Sequence, residues 1–498
     1  MPIYSSLSSR AKLSQSEQIV RDCIIFYVNG NRRELRGAAV FQPLSTYLRQ
    51  DLGLTGTKVV CSEGDCGSCT VLRGRPQNGV IEYRSLCSCI QFVFQADGCH
   101  IVTVEGLNSG DRLDPVQDAL VRHHGTQCGF CTPGIVMSIH ALLETDPVLS
   151  EQRLRQGLVG NLCRCTGYDP ILRAGLAVNT QRATRMSELF NSPDIMEELT
   201  TTAQEPVYLE LEGKIFFKPS AIDEAIRFRA THQDCLIISG GTDLGVQVNK
   251  GSREITTVLS TAGLSALTEL VVTEDEIIAG VNVSLSALEA ETTRSFPELA
   301  SLLARFGSPQ VKNAATLGGN IANASPVADT LPALFVMNAR IELTGAHGSR
   351  QVNINDFYIG YKKTVATTDE LISRIGIPRL CNGEILKIYK VSRRQDLDIS
   401  SFSAAVWLKL SCQTIQDARI AYGGVAPTIV RLPQTEAHLK GRDISLETFE
   451  AAGGIALSEI APIGDVRGSM QYRNALATNI LRKLYHDLKK EQAQTATV

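Results

Sequence analysis

Two groups of cysteines dominate the chemistry this chain can do. The later group opens with Gln127-Cys128-Gly129-Phe130-Cys131-Thr132-Pro133-Gly134 and closes with Asn161-Leu162-Cys163-Arg164-Cys165-Thr166-Gly167-Tyr168. C-x2-C followed at a distance by C-x-C brings four thiols to one centre. It is not the usual zinc spacing, in which the second pair is again C-x2-C or H-x3-5-H. The earlier group, Cys61-Ser62-Glu63-Gly64-Asp65-Cys66-Gly67-Ser68-Cys69, is C-x4-C-x2-C, the spacing of a plant-type [2Fe–2S] loop. Its glycines let the backbone wrap closely and aim amides at cluster sulfurs. Cys87, Cys89 and Cys99 are the candidates for its fourth ligand. Cys89 is preferred because it leads into an apolar run and then Val104-Glu105-Gly106, but spacing alone leaves Cys87 open.

Two glycine turns carry a second kind of chemistry. Leu236-Ile237-Ile238-Ser239 reads as a buried strand that runs into Gly240-Gly241-Thr242-Asp243-Leu244. A strand, a glycine turn and a helix start make a nest for a pyrophosphate. The turn alone is a weak signal and is not the Rossmann G-x-G-x-x-G. Thr316-Leu317-Gly318-Gly319-Asn320 strengthens it, with Thr316 and Asn320 supplying hydrogen bonds.

These residues need elements to hold them. Cys23–Val28 is strand-like, Asn29-Gly30 is a hairpin turn, and Leu44, Leu48 and Leu52 follow at helical spacing. Strands around Thr70–Leu72 and Ile101–Val104 complete a β-grasp ferredoxin domain over residues 20–107. Between the later cysteine pairs, Ile135, Met137, Ile139, Leu142 and Leu143 give a helix ended by Asp146-Pro147, and Ser150 caps a second. Residues 108–185 thus read as a four-helix-type cluster domain. Residues 186–207 have linker composition and read as a solvent-exposed connector. Residues 208–385 read as a two-part α+β unit, and 386–490 as a C-terminal α+β subdomain that alternates strands and helices. The tail after Leu488 is polar and is expected to be disordered. The whole is a multidomain α+β chain.

Composition narrows the function classes. The formal charge of −3 implies no basic face, so nucleic acid is not an expected partner. Residues 1–15 lack an apolar h-region and no apolar run is long enough to span a membrane, so a cytoplasmic protein with no membrane partner is expected. The remaining cysteines of the 14, namely Cys23, Cys87, Cys99, Cys235, Cys381 and Cys412, read as small hydrophobes. Among eight histidines no catalytic constellation appears, and His123-His124 reads as a helix surface.

The cysteine stretches, Gly240–Asp243 and Thr316–Ala322 resemble the molybdenum hydroxylase family, specifically the iron–sulfur and FAD small subunits of bacterial xanthine dehydrogenases, over about residues 20–490. The resemblance selects Cys89, because the family's ligand lies sixteen positions before the Glu of Val104-Glu105-Gly106. It implies one [2Fe–2S] cluster on Cys61, Cys66, Cys69 and Cys89 and another on Cys128, Cys131, Cys163 and Cys165. It also implies FAD held by Ile237, Ile238, Ser239, Gly240, Gly241, Thr242, Asp243, Leu244, Thr316, Gly319 and Asn320. Phe306 would stack near the flavin ring and Asp329 would bond the adenosine end. Ile372 would contact flavin through its backbone, and Lys390, or its neighbour Tyr389, would complete the site. A core Phe and a capping Asp are the plainer readings of Phe306 and Asp329.

The resemblance further implies a molybdopterin-binding large subunit, two copies of each chain in a heterotetramer, and no substrate-oxidising residue in this chain. Electrons from hypoxanthine or xanthine would pass to the helical-domain cluster, the β-grasp cluster, FAD and NAD+. Gln127 would reach toward the pterin, and Gly64 and Asp65 would face the flavin. An equivalent subunit of an aldehyde- or N-heterocycle-oxidising enzyme is the alternative. A flavin reductase and a colourless zinc-stabilised module compete from other classes.

Overall fold

The computed structural model describes residues 20–107 and 112–495. The 1–15 stretch and the 107/108 boundary of the sequence reading fall outside or at the edge of those residues.

The first unit is a five-stranded sheet in the order β2-β1-β5-β3-β4. Its strands are β1 (Ile24–Val28), β2 (Asn31–Leu35), β3 (Thr70–Gln77), β4 (Val80–Cys87) and β5 (His100–Val102). Strands β1 and β5 pair in parallel, while the hairpins β1–β2 and β3–β4 are antiparallel. A short helix α1 (Leu44–Thr46) continues as a π-turn over Tyr47–Asp51 and buries Leu44, Tyr47 and Leu48 against the sheet. The sheet leaves the Cys61–Cys69 loop at the entry to β3 and returns Cys87 and Cys89 beside it at the end of β4.

Four helices follow: α2 (Pro115–Arg122), α3 (Thr132–Thr145), α4 (Glu151–Gly157) and α5 (Asp169–Leu176). Each boundary has a local cause. Asp114 caps α2, with its carboxylate accepting from the Val116 amide at 2.8 Å. Ser150 caps α4, as the sequence predicts, and Asp146-Pro147 ends α3. Ile135, Ile139, Leu143, Leu154 and Ile171 bury the faces that meet in this layer.

The stretch 186–207 departs from the expected connector. It forms α6 (Met186–Leu189) and α7 (Pro193–Gln204), and it buries Met186, Leu199 and Thr202 against the first two units. The apolar spacing of Ile195, Met196 and Leu199 was diluted by threonines, which is why composition read as linker. A buried ion cluster pins it. Lys218 donates to Asp97 at 2.5 Å and to the carbonyls of Thr202 and Ala203, while Arg21 forks onto Asp97 and also bonds Thr202.

The third unit begins with β6 (Val207–Leu211) and β7 (Lys214–Lys218), then α8 (Ile222–Thr231), β8 (Leu236–Ile238), α9 (Thr242–Asn249) and β9 (Thr257–Ser260). Its sheet runs β6-β7-β9-β8. A second sheet runs β10-β11-β16-β12-β13. It comprises β10 (Leu270–Val272), β11 (Glu276–Gly280), β12 (Arg340–Gly345), β13 (Gly348–Asn353) and β16 (Leu371–Pro378), with the small pair β14 (Tyr358–Gly360) and β15 (Lys363–Thr364) beside it. Between them lie α10 (Leu285–Ser295), α11 (Pro297–Ala304), α12 (Pro309–Lys312), α13 (Leu317–Ala322) and α14 (Thr330–Val336).

The last unit does not alternate strands and helices. It is an antiparallel sheet β17-β18-β19-β20, formed by Glu384–Val391, Phe402–Ser411, Thr414–Gly423 and Val430–Arg431. The helices α15 (Pro433–Leu439), α16 (Leu446–Ala456) and α17 (Met470–Thr495) cover one face of it. The expected disorder after Leu488 is also corrected. Helix α17 runs on to Thr495, held by Lys387 to Glu491 at 2.5 Å and by Lys489 to Gln413 at 3.1 Å. No helix among the described residues is long and apolar enough to cross a membrane.

Candidate redox sites

In the first site the thiols of Cys66 and Cys89 lie beside Cys61, and those of Cys87 and Cys89 beside Cys69. Cys89 therefore touches both ends of the loop, whereas Cys87 touches Cys69 and points its sulfur at the Gly64 carbonyl, 3.6 Å away. The neighbouring thiols hold Cys61 and Cys69 well below the ordinary thiol range and push Cys66, Cys87 and Cys89 above it. Sulfurs crowded this closely fit a site built for thiolates. Cys66, Cys69 and Cys89 are buried, and Ile90, Val246 and Val311 close around them.

The second site is built from the same parts but opens outward. Cys131 sits at the start of α3 and lies against Cys163, and Cys165 lies against Cys128. Burial and then the Cys163 thiol push Cys131 up to about 12. Burial works against the Cys163 thiolate too, but the hydroxyl and amide of Thr166 outweigh it and leave Cys163 lowered. Cys128 and Cys165 are exposed, as are Gln127, Phe130, Leu162 and Tyr168 around them. At the outer site the thiols meet two by two, Cys131 with Cys163 and Cys128 with Cys165, while at the inner site Cys89 reaches both Cys61 and Cys69. Four cysteines in two pairs suit a binuclear centre, in which each iron takes two thiolates.

The two cysteine loops abut. The Leu162 amide donates to the Cys66 carbonyl at 3.0 Å. A Cβ added to Gly134 would stand 2.2 Å from the Gly67 carbonyl, and one added to Gly67 would stand 2.2 Å from that of Gly160. Glycine at 67, with φ of +66°, is thus required twice over, by its backbone conformation and by the contact.

A cavity of ≈ 480 Å³ lies in the third unit. Its walls include Ile237, Ser239, Gly240, Gly241, Thr242, Asp243 and Leu244 from the first glycine turn, Thr316, Gly319 and Asn320 from the second, and Phe306. Gly241 has φ of +70° and begins α9, so backbone amides of this helix start face the cavity. Thr316 caps α13 by accepting from the Gly319 amide at 3.0 Å. The Asn320 carbonyl is taken by Thr330 at 2.5 Å, which leaves its NH2 for a ligand. Gly240 has a different reason to lack a side chain, since a Cβ there would stand 1.9 Å from the Ala314 carbonyl.

Four predicted contacts do not line this cavity. Ile238 is buried in the core of its sheet, and Ile372 packs within β16. Asp329 and Lys390 pair with each other at 2.8 Å. Ser400 bonds the carboxylate at 2.5 Å and the Arg305 carbonyl takes the ammonium at 3.1 Å. Each buried charge is paired with the other, and the pair holds in place the backbone just before Phe306. Sequence reading missed Gln91 and Gln95. These two donate from the β-grasp unit to the Gly240 carbonyl at 2.9 and 3.3 Å. It also missed Arg253, Asn323 and Lys362 in the cavity wall. No sequence signal distinguishes these from ordinary surface and loop residues.

Helix α9 joins the cavity to the first site. Its first turn lines the cavity, and at its far end Asn249 donates to the carbonyls of Ser62 and Cys89, both at 2.8 Å. In the middle, Gly245 allows the helix onto the Ile90 carbonyl, which a Cβ would meet at 2.2 Å.

The donor sets and the cavity define an iron–sulfur flavoprotein. Known proteins agree. Residues 103–176 match the model of the [2Fe-2S] binding domain, 209–380 that of the FAD binding domain in molybdopterin dehydrogenase, and 387–488 that of the CO dehydrogenase flavoprotein C-terminal domain. The chain is 30% identical to xanthine dehydrogenase of Emericella nidulans, covering 96% of this chain and 39% of the relative. It is also 30% identical to aldehyde oxidase 2 of Cavia porcellus, covering 94% and 40%. It thus spans about two fifths of the length of these relatives. A structure of carbon monoxide dehydrogenase from Hydrogenophaga pseudoflava superposes with a TM-score of 0.52 at 25% identity, covering 53% of this chain and 93% of that one. Quinoline 2-oxidoreductase from Pseudomonas putida 86 gives 0.51 at 25%, covering 54% and 94%. The chain belongs to the [2Fe–2S]- and FAD-binding part of the molybdenum hydroxylase family.

Proposed function

We propose that the chain is the electron-transfer subunit of a xanthine dehydrogenase. In this reading Cys61, Cys66, Cys69 and Cys89 hold the inner [2Fe–2S] centre, and Cys128, Cys131, Cys163 and Cys165 the outer one. The cavity walls formed by Ile237 and by Ser239 to Leu244, with Phe306, Thr316, Gly319 and Asn320, hold FAD. Residues 20–107, 108–185 and 208–490 are the three functional units. When bound, the iron–sulfur centres supply one-electron steps and FAD supplies the change between one- and two-electron chemistry. The chain's own task is to hold these sites in series, exclude water from the inner two, and present the outer one. The partner is a molybdopterin-binding large subunit that oxidises hypoxanthine or xanthine, in a heterotetramer, with NAD+ as the final acceptor.

The observation that carries this reading is the unbroken run from surface to cavity. Exposed Cys128 and Cys165 begin it, the Leu162–Cys66 hydrogen bond passes it inward, and Asn249 and α9 end it at the glycine turn. The isolated chain is expected to oxidise NADH with an artificial acceptor but not to oxidise xanthine. With the large subunit added, Cys163→Ser is expected to stop transfer from xanthine to NAD+ and to spare NADH oxidation by dye. Undiminished xanthine-to-NAD+ turnover in a variant shown to lack the outer centre sinks the series arrangement. The relatives named aldehyde oxidase and quinoline 2-oxidoreductase support a second reading, in which the partner oxidises an aldehyde or an N-heterocycle. Assaying the purified complex with xanthine, an aldehyde and quinoline separates the two.

A further inference from the structure

Four nearly fully buried polar side chains meet at the seam between the two cysteine loops: Thr70, Ser138, Asn161 and Gln310, each 3% exposed or less. Three belong to the iron–sulfur units. Gln310 comes from α12 of the flavin unit, and its neighbour Val311 lines the cavity. The Gln310 NH2 donates to Ser138 Oγ and Asn161 Oδ1, both at 3.0 Å, and lies 3.4 Å from Thr70 Oγ1. Ser138 Oγ lies 2.8 Å from Asn161 Oδ1. Asn161 Nδ2 then donates to the Gly67 carbonyl at 3.2 Å, and the Thr70 hydroxyl donates to the same carbonyl at 2.6 Å. The Thr70 amide adds a third donor at 3.1 Å.

The donors run one way, from Gln310 through Asn161 to a single carbonyl oxygen. That carbonyl belongs to the Gly67–Ser68 peptide, whose N–H, on Ser68, donates to the Cys66 sulfur. Hydrogen bonds in a chain polarise one another, and a peptide whose oxygen is pulled on by three donors is a stronger N–H donor. A stronger donor at a cluster sulfur favours the reduced, more negative state and raises the potential. The Gln310 oxygen has no partner although it is buried. A buried amide that leaves its acceptor unsatisfied while its donors are fully used is placed for those donors.

We propose that Gln310 is a positioning residue that sets the reduction potential of the inner iron–sulfur centre, acting through Asn161 and the Gly67–Ser68 peptide on Cys66. This rests on the cluster assignment proposed above. A side chain of the flavin unit thereby draws the electron from the outer centre to the inner one, beside the cavity.

The test is an EPR-monitored redox titration of both centres in the full-length protein. Gln310→Met keeps the volume and removes the donors. It is expected to make reduction of the inner centre about three- to tenfold less favourable, the upper figure being about 59 mV for a one-electron couple. The outer centre is expected to stay where it is. Thr70→Val removes one donor to Gly67, leaves every residue of the flavin unit in place, and is expected to shift the inner centre the same way, by less. It keeps the idea testable if Gln310→Met does not fold. Folded variants with both centres present and an unmoved inner potential, or with both potentials moved equally, overturn the role of Gln310. A wild-type protein with no reduced-cluster signals overturns the cluster assignment itself, which is a separable failure.

Discussion

The two cysteine sites hold the same number of thiols and differ in where they face. At the inner site Cys69 and Cys89 are 1% and 2% exposed, and Val311 of the flavin unit closes over them. At the outer site Cys128 and Cys165 are open, and Phe130, Leu162 and Tyr168 expose 40% or more of their surface around them. Large apolar side chains left in water around a reactive group mark a surface that another protein covers. The contrast teaches that sulfur count sets what a site can bind, while burial sets whom it serves. In the proposed series the inner site exchanges electrons with its own chain and the outer one with a partner.

The most damaging way to break the comparison is to force the loops apart. Gly67→Val adds a β-branched side chain at φ of +66° and a Cβ 2.2 Å from the Gly160 carbonyl. The strain and overpacking together should cost about 4 kcal/mol or more. The expected outcome is loss of both centres and of most folded protein, read from iron content and circular dichroism. A well-folded variant that keeps both centres shows that the loops do not need this contact.

Removing single ligands is the next largest effect and separates the sites. Cys165→Ser should halve the iron, from about four per chain to about two, and leave FAD in place. Cys89→Ser should do the same at the inner site, whereas Cys87→Ser should keep all four irons. The reverse result for Cys87 and Cys89 moves the ligand. In the same family of tests, replacing Gly241, where a Cβ would press to 2.9 Å from Gln95, with Leu should empty the flavin cavity and leave both sets of iron signals.

A graded effect sharpens the contrast in exposure. Ferricyanide with a chelator should bleach the outer centre of the isolated chain several times faster than the inner one. Adding the large subunit should bring the two rates closer together. Equal rates in the isolated chain would remove the argument from burial.

The smallest effect concerns acid. His100 lies in the β-grasp core, and burial depresses its pKa to about 4. The Gly30 amide donates to its Nε2 at 3.0 Å, so its proton is on Nδ1, facing the Tyr83 hydroxyl at 2.6 Å. Because the folded pKa lies below the ordinary value of about 6.5, the unfolded chain binds the extra proton between those two pH values. Stability is then full above about pH 6.5 and is lost as pH falls toward 4, amounting to about 2 kcal/mol between pH 7 and 5. Thermal melts followed by visible absorption should show this loss. His100→Gln, which cannot charge, should flatten the pH dependence.

Much of the molecule was legible in residue order. Cysteine spacing, Asn29-Gly30, the Ser150 cap and the two glycine turns are local signals, because each depends on chemistry within one turn of chain. They identified the centres, the β-grasp hairpin, the helical hairpin and the cavity loops. Where the signal was diluted, reading by composition failed. The threonine-rich α7 reads as linker and the polar end of α17 as a loose tail, since the Asp97 cluster and the Lys387–Glu491 bond that hold them come from residues far away in sequence.

What only the tertiary structure decided is which groups are free and which are spent. Asp329 and Lys390, which only the resemblance places at the flavin, are brought together by the fold as a buried pair. Gln91, Gln95 and Gln310 carry no local signal at all. Their meaning arises when residues more than a hundred positions apart are brought within hydrogen-bond reach of a glycine turn or a cysteine loop. The sequence by itself determined two four-cysteine groups, and with the family resemblance it pointed to a flavin site at the two glycine turns. Their order, their exposure and the seam between them follow from long-range packing, which no spacing along the chain records.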